Sequence, residues 1–304
     1  MSLNNISLPD GKYIVAVSGG VDSIVLLNLL ATKLSPTTTL VVAHVDHGIR
    51  TESVDDAKFV EELAKKYGLK YENKRFELGA GASEEKARVS RYSFLFNLCE
   101  KHKAKLVTAH HQGDLIETSV LNILRGTGPH GLANMLSGEL ILRPLLKISK
   151  AEIISFAKEN NLSWREDSTN HDQSYLRNYI RQNVIPKLEP EIPLLQSNID
   201  ITAKKTAEFD KLMKVLLQSY KQDNRFKRSG LLELDYKLLS YAVRQILIES
   251  GVKDISRDMI ERVSIGIKTL LPGKKLDIDK LHRLSSYKDF VEITSTEQAP
   301  ICII

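Results

Sequence analysis

Two kinds of apolar segment alternate through the first half of the chain, and that alternation limits the possible folds more than any other feature. Short, β-branched runs bounded by turn residues read as strands: KYIVAVS (12–18), TLVVAHVDH (39–47), YENKRFEL (71–78) and AKLVTAH (104–110). Between and after them lie DSIVLLNLLATKL (22–34), SVDDAKFVEELAKKYG (53–68), SEEKARVSRYSFLFNLCEKHK (83–103) and DLIETSVLNILRG (114–126). In these the apolar residues recur at helical spacing, as Val60, Leu63, Ala64 and Tyr67 do. Asp55 and Asp56 after Ser53, and Glu84 and Glu85 after Ser83, put negative charge in a first turn, where the helix dipole favours it. Strict strand–helix alternation demands a parallel sheet covered by helices on both faces. The expected fold is therefore α/β, a Rossmann-like parallel sheet over residues 1–190, closed by Pro186, Pro190 and Pro193. Residues 191–304 place Ile199, Phe209, Leu212, Met213, Leu216 and Tyr220 at helical spacing, with further helical segments near 235–250 and 256–269. A smaller, mainly helical second domain is expected there.

The turn SGGVDS (18–23) falls where the first strand gives way to the first helix. Backbone N–H groups at such a turn, with the positive end of the helix behind them, form an anion pocket. A Walker loop adds a lysine that grips the β- and γ-phosphates. Here Ser18, Gly19, Gly20, Val21, Asp22 and Ser23 supply hydroxyls and a carboxylate instead. That set suits ATP held with pyrophosphate as the leaving group, attack at the α-phosphate, and Asp22 available to Mg²⁺. A plain glycine turn is the bland alternative, but SGGxDS on a strand–turn–helix is far more specific than two glycines alone.

Composition narrows the class without naming it. Hydrophobic residues make up 42% of the 304 and charged residues 27%, which excludes wholesale disorder. A net charge of +5 permits nucleic acid as a partner. The only cysteines are Cys99 and Cys302, so there is no disulfide scaffold, zinc ribbon or redox-active pair. The first residues lack a charged-then-apolar signal, and no apolar run approaches the ~18 residues of a membrane helix, so the chain is expected to be cytoplasmic and off the membrane.

Further motifs follow the loop in order: HVDHGIR (44–50), ARVSRY (87–92), AHHQGDLIETSVLNILRGTG (109–128), RPLL (143–146) and WREDSTNHDQSYLRNYIR (164–181). The set resembles the PP-loop, or N-type ATP pyrophosphatase, superfamily, and within it the tRNA(Ile)-lysidine synthetases. The resemblance covers about residues 12–190. It implies that ATP adenylates the C2 oxygen of the wobble cytidine in a CAU-anticodon tRNA(Ile), and that free L-lysine then displaces AMP.

The resemblance also implies roles. His110, Asp114 and Glu117, spaced i, i+4 and i+7 on one expected helix face, would handle lysine and catalysis. Gly113 stands where the family usually has the first of two aspartates. It is expected to point about 100° away from Asp114, so the departure should be tolerated. Asp22, Asp46 and Arg88 complete the catalytic set, with Asp46 able to meet Mg²⁺ or ribose and Arg50, Arg91 and Arg125 suited to phosphate. His44 and His47 flank Asp46 but do not read as zinc ligands, because no cysteine is near. Asp167, Asn170, Arg177, Asn178 and Arg181 would clamp the anticodon stem-loop or brace a loop over the site. Trp164 or a tyrosine would stack on the unstacked base. Between Lys204 and Arg228 eight Lys or Arg face three Asp or Glu, which makes Lys204, Arg225, Lys227 and Arg228 candidate tRNA contacts. A solvated helix face is the plainer explanation of the same charges. A homodimer remains open. The competing readings are a tRNA thiolase, which the isolated cysteines disfavour, and a non-catalytic ATP-dependent RNA-binding module.

Overall fold

The computed structural model describes residues 3–48, 53–79, 84–125, 136, 138, 140–165, 176–253 and 255–295. The chain divides into two compact units, Met1–Ala207 and Glu208–Ile304.

Unit 1 is built on β1 (Lys12–Ala16), β2 (Thr39–Asp46), β3 (Lys70–Arg75), β4 (Lys105–Val107) and β5 (Ile141–Leu142), all parallel in the order β3-β2-β1-β4-β5. Alternate residues of each central strand go to opposite faces, as the strand period requires. Val15 and Val42 enter a core with α1 (Val21–Thr32), α2 (Ser53–Lys66) and α5 (Lys150–Glu159). Ile14, Val41 and Ala43 enter a second core with Leu95 and Leu98 of α3 (Glu84–His102). Helix α1 is apolar on nearly every side, since Ile24, Val25, Leu26, Leu27, Leu29 and Leu30 are all buried. It can tolerate this because sheet, α2 and α5 enclose it.

Strand order turns back at β1, which has β2 on one side and β4 on the other. Loops leaving the carboxyl ends of β1 and β4 therefore diverge and leave a crevice, the usual ligand position in an open α/β sheet. The first of these loops is SGGVDS and the second leads into α4 (Gln112–Leu124). Beyond α5, α6 (Leu176–Tyr179), a π-helical turn (Ile180–Val184) and α7 (Ile185–Glu191) run on continuously and pack Ile180 and Ile185 against Ile116 and Leu121 of α4. Pro186 and Pro190 lie inside α7.

The helix α8 (Leu195–Tyr220) contributes its first half to unit 1 and its second half to unit 2. Unit 2 gathers Met213 and Leu217 of α8 with α9 (Arg228–Leu232), α10 (Tyr236–Glu249) and α11 (Arg257–Thr269) around a core of Leu239, Val243, Ile246, Val263 and Ile267. It also contains an antiparallel sheet of β6 (Lys221–Gln222), β7 (Arg225–Lys227), β8 (Lys275–Asp277), β9 (His282–Ser286) and β10 (Phe290–Ser295), in the order β6-β7-β10-β9-β8, which the helical spacing in the sequence did not announce. No helix among the described residues is long and apolar enough to cross a membrane.

Candidate active site at the turn-back of the parallel sheet

The SGGVDS turn is held by its own hydroxyls. Ser23 Oγ accepts from the Ser18 amide at 3.2 Å and donates to the Gly20 carbonyl at 2.9 Å, while Ser18 Oγ accepts from the Gly20 amide at 3.3 Å. Gly19 sits at φ +96, a conformation open to glycine, and its carbonyl accepts from the Arg165 amide at 3.0 Å. Ser23 is buried, so its hydroxyl builds the loop. Asp22, second in α1, is engaged by Lys150 Nζ at 2.6 and 2.8 Å. Lys150 was not singled out in the sequence. Its only local signal is its place as first residue of a helix capped by Ser149 and Glu152.

The second loop corrects an expectation. His110 is not on α4. The helix begins at Gln112, and His111 is its N-cap, with φ −114 and ψ −176. The His111 Nδ1 accepts from the Gly113 amide at 3.0 Å, and Asp114 Oδ2 accepts from the His111 amide at 2.9 Å. His111 Nε2 then lies 3.9 Å from Asp22 Oδ1 and 3.7 Å from Asp114 Oδ2, between the phosphate loop and the acids of α4. His110 in the preceding turn pairs its Nδ1 with Thr108 Oγ1 at 2.8 Å. Burial pushes its pKa down to about 3, an effect that Asp114 opposes and that Arg143, Arg88 and Arg177 reinforce. This imidazole is therefore neutral at physiological pH.

Asp114 and Glu117 do share a face of α4, one turn apart. Glu117 is 2% exposed, and its oxygens accept from Arg181 Nε at 2.5 Å, Arg181 Nη2 at 2.9 Å and Arg177 Nε at 3.1 Å. Both arginines also reach Asp114 Oδ1 at 3.4 Å. Burial raises the Asp114 carboxyl, but His111, His110, the His111 amide and Arg177 outweigh it and hold the group below its ordinary range. Arg177 and Arg181 were expected to clamp the anticodon stem-loop or to brace a loop over the site. The structure turns them inward, because the buried Glu117 and the partly buried Asp114 need compensating charge and i, i+4 spacing puts both guanidiniums on one side. Asn178 lies between them in α6, partly buried.

The other expected residues that the structure describes take the following places. Asp46 is buried, and its Oδ1 accepts from the Gly48 amide at 2.8 Å while Oδ2 meets Arg75 at 3.3 Å, so its carboxylate builds the turn after β2. Gly48 itself has φ +64, and a Cβ there would lie 2.3 Å from the Phe76 carbonyl oxygen. His44 is buried with Nδ1 2.8 Å from the Val17 carbonyl, and no cluster of three metal-ligating side chains exists among the described residues. Arg125 is the exposed C-cap of the 13-residue α4. A helix of that length puts it about 20 Å from His111. Arg88 lies over the Tyr92 ring at 4.8 Å, close enough for its charge to act on His110. Trp164 packs against the core of unit 1. Arg50, Asp167 and Asn170 lie outside the described residues.

In unit 2, Arg228 donates to the carbonyls of Ile267 at 2.8 Å and Lys268 at 3.2 Å. It is therefore a cap on the end of α11 and not a free surface cation. Arg225 pairs with Glu292 at 3.2 Å and lies over the Tyr287 ring at 4.8 Å, Lys227 is exposed, and Lys204, in unit 1, pairs with Asp200 one turn back. Cys99 is partly buried in the α3 core, where burial pushes its thiol up to about 11, so it supplies no thiolate at neutral pH.

The PP-loop domain family model matches residues 2–188, which takes in the loop, the parallel sheet and the α4 acids. The chain belongs to the PP-loop family. Within that family it is similar to the tRNA(Ile)-lysidine synthase of Thermosipho africanus, 39% identical over 224 residues that make up 69% of this chain and 51% of that protein. It is likewise similar to the tRNA(Ile)-lysidine synthase of Bacillus subtilis, 33% identical over 269 residues, 81% of this chain and 57% of that one. The chain thus spans about half the length of the curated relatives it matches. Among solved structures, the U34-tRNA thiolase NcsA from Methanococcus maripaludis superposes with a TM-score of 0.56 at 20% identity, covering 66% of this chain and 74% of that one, a likeness of fold.

Proposed function

We propose that this PP-loop chain carries the catalytic part of a tRNA(Ile)-lysidine synthase. The observation that carries the reading is the junction at His111, which sets a phosphate loop beside an acid pair that already holds cationic side chains. ATP would lie along the loop, its phosphates against the amino end of α1. The C2 oxygen of the wobble cytidine attacks the α-phosphorus, the bond to the bridging oxygen breaks, and pyrophosphate leaves. The ε-amine of lysine then attacks C2, and AMP leaves with the oxygen.

Asp114 and Glu117 would receive the lysine ammonium, exchanging it for guanidinium contacts. His110, held neutral, cannot repel that ammonium and can accept a hydrogen bond from it. Asp22 fits a Mg²⁺ ion, which needs only one or two carboxylates when phosphate oxygens fill the remaining positions. When bound, the ion would neutralise charge on the departing phosphates. Arg225 and Lys227 are exposed cations of unit 2 available to tRNA phosphates, and Lys204 is one of unit 1. The test is incubation with labelled lysine, ATP and a CAU-anticodon tRNA(Ile), followed by nucleoside analysis. Lysidine with AMP and pyrophosphate is the expected result, and ADP as the main nucleotide product would refute the assignment.

A further inference from the structure

The loop must hold and release a polyanion, yet its only charged side chain is an acid. The missing cation comes from 128 positions downstream, where Lys150 Nζ makes its two short contacts with Asp22. Lys150 is the first residue of α5, Asp22 is the second of α1, and the two helices pack together on one face of the sheet. The start of α4 is tied to the same place, because the Gln112 amide donates to the Ile148 carbonyl at 3.0 Å, two residues before Lys150. The amino ends of α1, α4 and α5 therefore gather around one carboxylate, with His111 Nε2 3.9 Å from it.

Each of these helix starts has an acid in its first turn, Asp22, Asp114 and Glu152, which answers its dipole when no ligand is bound. The pair of Lys150 and Asp22 is poorly placed to serve the fold, since the Lys150 side chain is 45% exposed and Asp22 29%, and exposed ion pairs contribute little to stability. A polyphosphate, in contrast, would use the lysine and the converging helix ends together.

We infer that Lys150 is the phosphate-gripping lysine of this site, supplied by α5 instead of by the loop. It rests on Asp22 until ATP binds, then pairs with the β- and γ-phosphates and stays with the departing pyrophosphate, leaving Asp22 to the metal ion. The electron pair of the broken bond remains on the bridging oxygen of pyrophosphate, so negative charge grows where an ammonium is useful. The inference rests on the assignment of the loop to ATP.

Titration calorimetry with inorganic pyrophosphate in the presence of EDTA tests it, on wild type, Lys150→Met, Asp22→Asn and the double variant, with MgATP titrated in parallel. Loss of a charge-assisted contact should weaken pyrophosphate binding about tenfold or more in Lys150→Met, and Lys150→Arg should restore most of it. Asp22→Asn should bind pyrophosphate more tightly than wild type, because a like charge is gone. The double variant decides between two roles for the lysine. If Lys150 touches phosphate, the double variant binds more weakly than Asp22→Asn alone. Equal affinity in those two proteins would mean that Lys150 only neutralises Asp22, and would overturn the inference. Wild-type protein that binds MgATP but not free pyrophosphate would also overturn it. Wild-type protein that binds neither would overturn the ATP assignment and this inference together.

Discussion

Replacing Gly113 by alanine is a small change with a calculable local effect. A Cβ at that position would lie 2.9 Å from His111 Cε1 and 3.3 Å from Nδ1. Carbon atoms rest at ~3.5–4.0 Å, so the imidazole must retreat by about 0.6–1 Å. The stability terms nearly cancel. Alanine gains up to ~1 kcal/mol over glycine in a helix, and disturbing an N-cap loses about the same. A shift in melting temperature of less than about 4 °C is expected. The site is less forgiving, because the displaced imidazole leaves its place between Asp22 and Asp114. A misplacement of that size near reacting groups should lower kcat about tenfold or more, with circular dichroism unchanged. Steady-state incorporation of labelled lysine into tRNA, beside a thermal melt, checks both halves. A kcat within about twofold of wild type would refute the claim that His111 matters where it stands. A drop in melting temperature beyond about 8 °C would show that backbone yields instead of the ring.

His110 gives a pH dependence. Its folded pKa, about 3, lies below the ordinary 6.5, so above 6.5 both states are neutral and nothing changes. As pH falls from 6.5 toward 3, the unfolded chain takes up a proton that the folded protein refuses, and stability declines across that window. Melting curves of wild type and His110→Gln should converge as pH falls, and parallel curves would show that His110 is not the group responsible. Glu117→Gln leaves two guanidiniums facing an amide, with only the longer contacts to Asp114 to compensate them. Because Arg181 and Arg177 are partly exposed, the cost should be about 2 kcal/mol instead of the larger loss of a fully buried pair, read by denaturant titration. In unit 2, Arg225→Glu with Lys227→Glu should weaken tRNA binding and reduce its salt slope by about 2 in a filter-binding titration. Arg228→Ala should instead lower the unfolding temperature of unit 2, since it removes the cap on α11.

The fold of unit 1 was legible because short, continuous apolar runs alternate with helical ones, which calls for a parallel sheet but does not fix its strand order. The sheet of unit 2 was not legible. Its strands run from two to six residues, and KLD (275–277) or RFK (225–227) carries no alternation long enough to show. The acids of α4 came from the family resemblance, with helical spacing in support, but helical angle alone placed Gly113 out of the way. What the angle misses is that a residue outside the helix, His111, folds back over the first turn. His110 was put on the helix for the same reason, because a histidine N-cap has no conventional sequence signature.

Charge was the least readable feature. Asp22 takes its cation from Lys150, Glu117 from Arg177 and Arg181, and Asp46 from Arg75, with separations of up to 128 positions. Sequence shows which charges exist but not which cancel, and partly buried carboxylates cannot stay uncompensated. This has a consequence for catalysis. At rest the candidate site is paired internally, so a substrate gains only the difference between its own contacts and those it displaces. In the proposed reaction lysine would have to displace tethered guanidiniums from Asp114 and Glu117, and polyphosphate would have to draw Lys150 off Asp22. On the same proposal ATP would bring negative charge to one end of His111 and lysine positive charge to the other. Each arrival would weaken the internal pairs in its own half, and the His111 imidazole, 3.9 Å from Asp22 and 3.7 Å from Asp114, lies where the two halves meet.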